Sequence, residues 1–229
     1  MIFRQLFDRE SSTYTYLLGD PQSGEAALFD PVVEQIERDL QLVSELGLRL
    51  TTVFDTHVHA DHVTGAGTLR ERTRARTHFS VLGGPACADV LLKDGDEVAV
   101  GALVVRALAT PGHTNSCMSY GVGDRVLTGD TLLVRGCGRT DFQEGDAATL
   151  WRSVHEKLFV LDDATFVYPA HDYRGHTRST IGEEKRLNPR LGGAMTLEGF
   201  VQLMKDLKLP PPAKLAEAVP ANQACGKRP

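Results

Sequence analysis

Residues Thr56-His57-Val58-His59-Ala60-Asp61-His62 follow directly on Arg49–Phe54, a β-branched and apolar stretch that reads as a buried strand. Three imidazoles and a carboxylate crowded into six residues repel one another or demand solvent unless a cation gathers them. The segment therefore predicts a metal site at the carboxyl end of that strand. His57 and His59, two apart in extended chain, project to one side, and Asp61 and His62 bend the cluster toward a second ion position.

The same arrangement recurs downstream. His113, in Thr110-Pro111-Gly112-His113-Thr114, follows the strand-like Leu103–Leu108; Asp130 follows Arg125–Thr128; His171 follows Thr165–Tyr168. Ligand sites in α/β proteins gather beyond the carboxyl ends of strands, so these four ends are expected to converge. A lone histidine at a strand end is ordinarily a satisfied polar residue, and His78, His155 and His176 are read that way. Imidazole with carboxylate suits zinc, iron or manganese, and the ligand list leaves one ion or two open.

Around these points the chain alternates without repeats or low-complexity blocks. Tyr14–Leu18 and Glu25–Phe29 read as strands joined by a turn, and Met118–Val122 with Arg125–Thr128 as a hairpin. Glu97–Val100 and Leu103–Leu108 read as another hairpin. Val33, Ile36, Leu40, Val43 and Leu46 keep helical spacing and Gly47 follows as a stop. Val63–Arg72 is a weaker helix; Ala147–Phe159, Ser179–Arg186 and Leu197–Leu207 are further helices, and Leu209–Lys214 is extended surface chain. The pattern predicts an α/β layered fold with mixed sheets in one domain. A chain of 229 residues buries a core without disulfide or metal staples.

Composition removes several classes. The net charge of −5 and the lack of a Lys/Arg cluster argue against nucleic acid. No apolar run approaches the ~20 residues of a membrane span. The N-terminal residues have no apolar core of a signal peptide and carry acids early, so neither a secretory signal nor a transit peptide is expected. The four cysteines are widely spread without a C-x-x-C pair, which fits a reducing compartment and offers no zinc-knuckle spacing.

Taken together, H-x-H-x-D-H, Pro-Gly-His, Thr-Gly-Asp and Ala-His resemble the metallo-β-lactamase superfamily, which implies a four-layer αββα sandwich with the metal at one edge. The stretches Leu133–Gln143, Val154–Phe159, Tyr168–Tyr173, Leu187–Leu191 and Val219–Asn222 narrow the resemblance to the persulfide dioxygenases. That resemblance implies one Fe(II) per chain on His57, His113 and Asp130, with His59, Asp61, His62 and His171 holding waters and orienting the ligands. It implies oxidation of glutathione persulfide with O2 to sulfite and glutathione. It also implies that Arg139 and Arg190 grip the substrate carboxylates and that Tyr173 contacts the tripeptide.

Residues 1–229 are expected to form a single domain with a short helical extension over about 175–229. Cys137 is expected to be a buried, inert thiol. A homodimer is carried as an expectation, as is a bacterial cytoplasm, or the mitochondrial matrix in a eukaryote. The runner-up is a dinuclear zinc thioester hydrolase of the glyoxalase II type, with all seven residues as ligands. The ~55 residues beyond His171 are short for the helical domain typical of that group. A metal-binding partner without catalysis is a third reading, weakened by the absence of a fused electron-transfer segment.

Overall fold

The computed structural model describes residues 1–212 and 214–227. Its strands form two uninterrupted series. β1 (Ile2–Asp8), β2 (Thr13–Gly19), β3 (Glu25–Phe29), β4 (Arg49–Phe54), β5 (Arg76–Ser80) and β6 (Val90–Leu92) make one six-stranded sheet in that order. β7 (Glu97–Val100), β8 (Leu103–Ala109), β9 (Met118–Val122), β10 (Arg125–Gly129), β11 (Phe166–Pro169) and β12 (Ser179–Thr180) make the second, also in chain order across the sheet. Both sheets are mixed. β1–β2–β3 and β7–β8–β9–β10 run in antiparallel pairs, joined by short turns except for the His113 loop between β8 and β9. Helical crossovers make β3–β4, β4–β5 and β10–β11 parallel.

A 3-10 turn, Val33–Gln35, leads into α1 (Ile36–Glu45), and α2 (Ala66–Thr73) follows β4. Ile36, Val43, Ala66 and Leu69 of these helices pack on Leu17, Leu28 and Val53 of the first sheet. α3 (Ala147–Ser153) runs into a π-helical turn, Val154–Leu158, and α4 (Ile181–Leu187) and α5 (Leu197–Asp206) come later. Their Leu150, Val154, Leu158, Ile181 and Phe200 cover Val126 and Val167 of the second sheet. Between the sheets lie Tyr16, Leu18, Phe29, Phe54, Val105, Tyr120 and Leu127. Phe29 and Phe54 stack with centroids 4.7 Å apart, the kind of pair worth about 1 kcal/mol beyond area burial. The result is the four-layer αββα sandwich the resemblance implies. β3 is buried along nearly its whole length, so past Glu25 its sequence is continuously apolar.

The differences from the sequence reading have physical reasons. β1 is a half-exposed edge strand without clean alternation, and β5 is carried by the polar Arg76, Thr77 and His78; both escape a hydrophobic pattern. α6 (Leu215–Gln223) has Pro220 inside it, which hides it from propensity. The helix expected over 147–159 divides where its hydrogen bonding changes to π. Leu209–Pro212 is not helical, and Ala213 lies outside the described residues.

The cysteine reading is corrected. Cys87 and Cys225, separated by 138 residues, are joined in a disulfide with their Cα atoms 6.1 Å apart, while Cys117 and Cys137 are free and buried. Linear spacing carried no sign of this, because the fold alone brings the tail to the β5–β6 loop. Among the described residues, no helix is long and apolar enough to cross a membrane.

Candidate metal centre

At one edge of the sandwich the two sheets are tied together by their main chains. Met118 N donates to Thr56 O at 2.8 Å, and Tyr14 N to Ala170 O at 2.7 Å. An isolated bridge pairs Thr13 with His171. The chain therefore leaves β4, β8, β10 and β11 into a shared space, and all seven predicted residues meet there. The donor atoms of His57, His113 and Asp130 all lie within 4.8 Å of one another, and so do those of His59, Asp61 and His62. His171 sits between the two triads, with Nε2 3.6 Å from Asp61 Oδ2 and 3.8 Å from Asp130 Oδ1.

Hydrogen-bond partners decide which ring nitrogen faces inward. Arg139 O and Ser12 O can only accept, so His113 Nδ1 (2.6 Å) and His171 Nδ1 (3.1 Å) carry protons and each Nε2 is turned into the site. Thr56 Oγ1 gives its one proton to Asp30 and accepts from His57 Nδ1 at 3.0 Å, which frees His57 Nε2. His59 donates Nε2 to Asp30 Oδ1 at 3.0 Å, and His62 donates Nδ1 to Asp61 Oδ2 at 2.9 Å. His59 Nδ1, His62 Nε2 and Asp130 Oδ1 are left buried with no hydrogen-bond partner among the described residues. Inward lone pairs, buried and unmatched, cost free energy that a cation would recover, so the donor set fits a metal.

Electrostatics agree. Burial holds His57 and His59 well below the ordinary imidazole range, reinforced by their histidine neighbours. Burial opposes ionisation of Asp61, but His171 and His62 outweigh it and hold the carboxyl well below its usual range. Burial would likewise lower His171, yet Asp130 and Asp61 push it up to about 10. Neutral His57 and His59 and an ionised Asp61 are the forms a metal takes, whereas His171 holds its second proton between Asp61 and Asp130 until a cation displaces it.

Two buried aspartates that sequence reasoning missed hold the segment in place. Asp30, just past β3, accepts from Thr56 N at 2.7 Å, Thr56 Oγ1 and His59 Nε2. Asp55, just past β4, accepts from Thr64 Oγ1 at 3.0 and 2.9 Å. Their only sequence signal is an acid immediately after an apolar strand. With His59 they form a third close group, but these hydrogen bonds occupy its carboxylates. Gly138 was also missed as an individual residue: a Cβ there would lie 2.7 Å from both Asp130 O and His113 Nδ1, so only glycine lets this loop close on the two ligands.

The three residues expected at the substrate lie differently from one another. Arg139 gives Nε and Nη2 to both oxygens of Asp141 (2.6 and 2.8 Å) and Nη1 to Pro210 O (2.6 Å), so its fork is engaged within the chain. Arg190 donates to Cys137 O at 3.2 Å and makes no ion pair among the described residues. Tyr173 is 73% exposed, its ring parallel to that of His171 at 6.1 Å. It borders an open cleft of ≈ 600 Å³ that also takes in Arg9, Ser12, Tyr14 and Asp172. Burial pushes the Cys137 thiol up to about 11 despite Arg190, so it is neutral and unreactive as a nucleophile. Of the first triad, His57 is buried, whereas the His113 and Asp130 side chains remain 12% and 13% exposed.

Comparison with known proteins places this geometry. A family model described as the metallo-beta-lactamase superfamily matches residues 8–171. The mitochondrial persulfide dioxygenase ETHE1 of Bos taurus is 51% identical over 99% of this chain and 89% of its own length, and that of Homo sapiens 50% over the same shares. The crystal structure of ETHE1 from Myxococcus xanthus superposes with a TM-score of 0.98 at 59% identity, covering 99% of this chain and 100% of that one. The chain belongs to the metallo-β-lactamase superfamily and, within it, to the ETHE1 persulfide dioxygenase family.

Proposed function

We propose that this chain is a persulfide dioxygenase that binds one Fe(II) on His57, His113 and Asp130 and oxidises glutathione persulfide with O2. The observation that carries the reading is the triad of two histidines and one aspartate, whose His113 and Asp130 remain partly open to solvent. Three protein ligands on one face leave positions for both a sulfur and O2. Bound there, iron would supply the redox chemistry that O2 requires and that zinc lacks. Overall, one glutathione persulfide, one O2 and one water give glutathione, sulfite and two protons.

The chain's own contribution is positioning. Arg139 O and Thr56 Oγ1 fix the imidazoles of His113 and His57. Arg190, a cation with no carboxylate partner among the described residues, receives a substrate carboxylate. Arg139 joins it by exchanging Asp141 for substrate, and Tyr173 closes over the tripeptide. His59, Asp61, His62 and His171 line the far side and hold water near the reacting sulfur through their inward polar atoms. The family's setting suggests the mitochondrial matrix or a bacterial cytoplasm, and a homodimer as the assembly.

The second triad, with its two unpartnered nitrogens, keeps the dinuclear zinc hydrolase as the rival. Anaerobic purification with metal counting separates them. One iron per chain with O2 uptake on glutathione persulfide supports the dioxygenase. Two zincs with loss of S-lactoylglutathione and no O2 uptake overturns it.

A further inference from the structure

The Val219–Asn222 segment lies beyond every ligand, yet its last side chain is aimed at the metal loop. Residues 55–63 belong to no helix or strand, so their carbonyls need partners from elsewhere. Asn222, 1% exposed, supplies two of them. Its Nδ2 donates to His59 O and to His62 O, both at 2.9 Å, and its Oδ1 accepts from Thr64 N at 2.8 Å. One carboxamide thus uses both its donors and an acceptor on the main chain that carries His59, Asp61 and His62.

The tail bearing this carboxamide is itself pinned. Gly67 N donates to Cys225 O at 3.1 Å, and a Cβ on Gly226 would meet Thr64 O at 2.1 Å, so tail and loop touch backbone to backbone. The Cys87–Cys225 disulfide then ties the buried Cys225 to Cys87, which is exposed in the β5–β6 loop.

We propose that Asn222 is a positioning residue of the metal centre, and that the Cys87–Cys225 bridge keeps it seated on the ligand loop. The proposal rests on the metal reading of the site but on no assumption about substrate or redox chemistry. Asn222 touches no ligand side chain; it fixes the main-chain path that sets where the rings of His59 and His62 and the carboxylate of Asp61 stand. Reduction of the bridge at the exposed Cys87, by two equivalents of a thiol that leave as their own disulfide, frees the tail and loosens that path.

The test uses the full chain loaded anaerobically with Fe(II) and challenged with an excess of chelator well below the unfolding midpoint. Asn222→Asp keeps the side-chain shape but donates nothing to the two carbonyls. Metal release is expected to quicken by about tenfold, the scale on which outer groups tune metal sites. In hydrogen exchange of the metal-free protein, protection is expected to fall in the peptide spanning residues 57–67 and to stay unchanged in β9 and β10. Cys87→Ser, and wild type treated with a phosphine reductant, should shift release in the same direction by a smaller factor. A merely structural Asn222 would lower the midpoint and leave release and local exchange as in wild type, which overturns the proposal. Fast release from Asn222→Asp with wild-type release from Cys87→Ser overturns the role of the bridge alone. A wild-type chain that takes up no metal overturns the metal-centre reading, and the proposal with it.

Discussion

Replacing Asp39 by asparagine should stabilise the protein, and the size of the effect follows from the environment of α1. The side chain is fully buried, and only Oδ1 is met, by Arg38 Nε at 2.8 Å; Oδ2 has no hydrogen-bond partner among the described residues. Burial outweighs the Arg38 charge and raises the carboxyl from 3.8 to about 6. Because the folded value lies above the unfolded one, the group's stabilising contribution is fully present below pH 3.8 and is lost as pH rises through about 6. At pH 7.5 the ionised form therefore costs the fold about 3 kcal/mol. A neutral carboxamide would escape that cost, less whatever its own N–H2 loses at the site of Oδ2, so 3 kcal/mol is a ceiling.

Urea denaturation of metal-free, oxidised wild type and Asp39→Asn should show the variant's midpoint higher by up to about 1 M at pH 7.5. At pH 5.0 the advantage should shrink to about half, since the wild-type carboxyl is then mostly protonated in the folded state but mostly ionised when unfolded. A variant destabilised equally at both pH values would refute the reasoning. It would mean that the ion pair with Arg38, rather than burial, governs this carboxylate.

Gly138→Ala places a methyl 2.7 Å from His113 Nδ1 and from Asp130 O; metal content should fall and O2 uptake drop on the order of 100-fold, while far-UV circular dichroism stays unchanged. Arg190→Ala should raise the KM for glutathione persulfide by about 10- to 100-fold with a smaller change in kcat, the loss of a charge-assisted pair, and Arg190→Lys should recover part of it; an unchanged KM would remove Arg190 from the substrate site.

The clustering of these seven residues was legible because they sit in short local motifs at the ends of strands that hydrophobic pattern reveals. His57, His59, Asp61 and His62 are neighbours in sequence, and His113, Asp130 and His171 each follow a recognisable strand. What supports them was not legible, since it depends on which distant segments meet. Asp30 lies 26 residues before Thr56, and Asn222 lies 163 after His59. Cys87 and Cys225 gave no local sign of their union, because they stand 138 positions apart and the whole second sheet lies between them in the chain. Edge strands failed for another reason: half-exposed β1 and polar β5 contribute main-chain pairing more than apolar side chains, so no periodicity marks them. The engagement of Arg139 by Asp141 was hidden too, although the two are only two residues apart, because a guanidinium's partner is set by loop conformation.

The first sheet is wound entirely from residues 2–92 and the second entirely from residues 97–180, with one seam between them. His57 belongs to the first winding and His113 and Asp130 to the second, so neither half owns all three members of that triad. Metal occupancy there is thus a property of the join. A molecule whose halves part slightly while keeping their own hydrogen-bonded ladders will drop its ion before it loses much secondary structure. An ion held there would in that sense be a strain gauge across the seam, and its loss should be an early sign of failure.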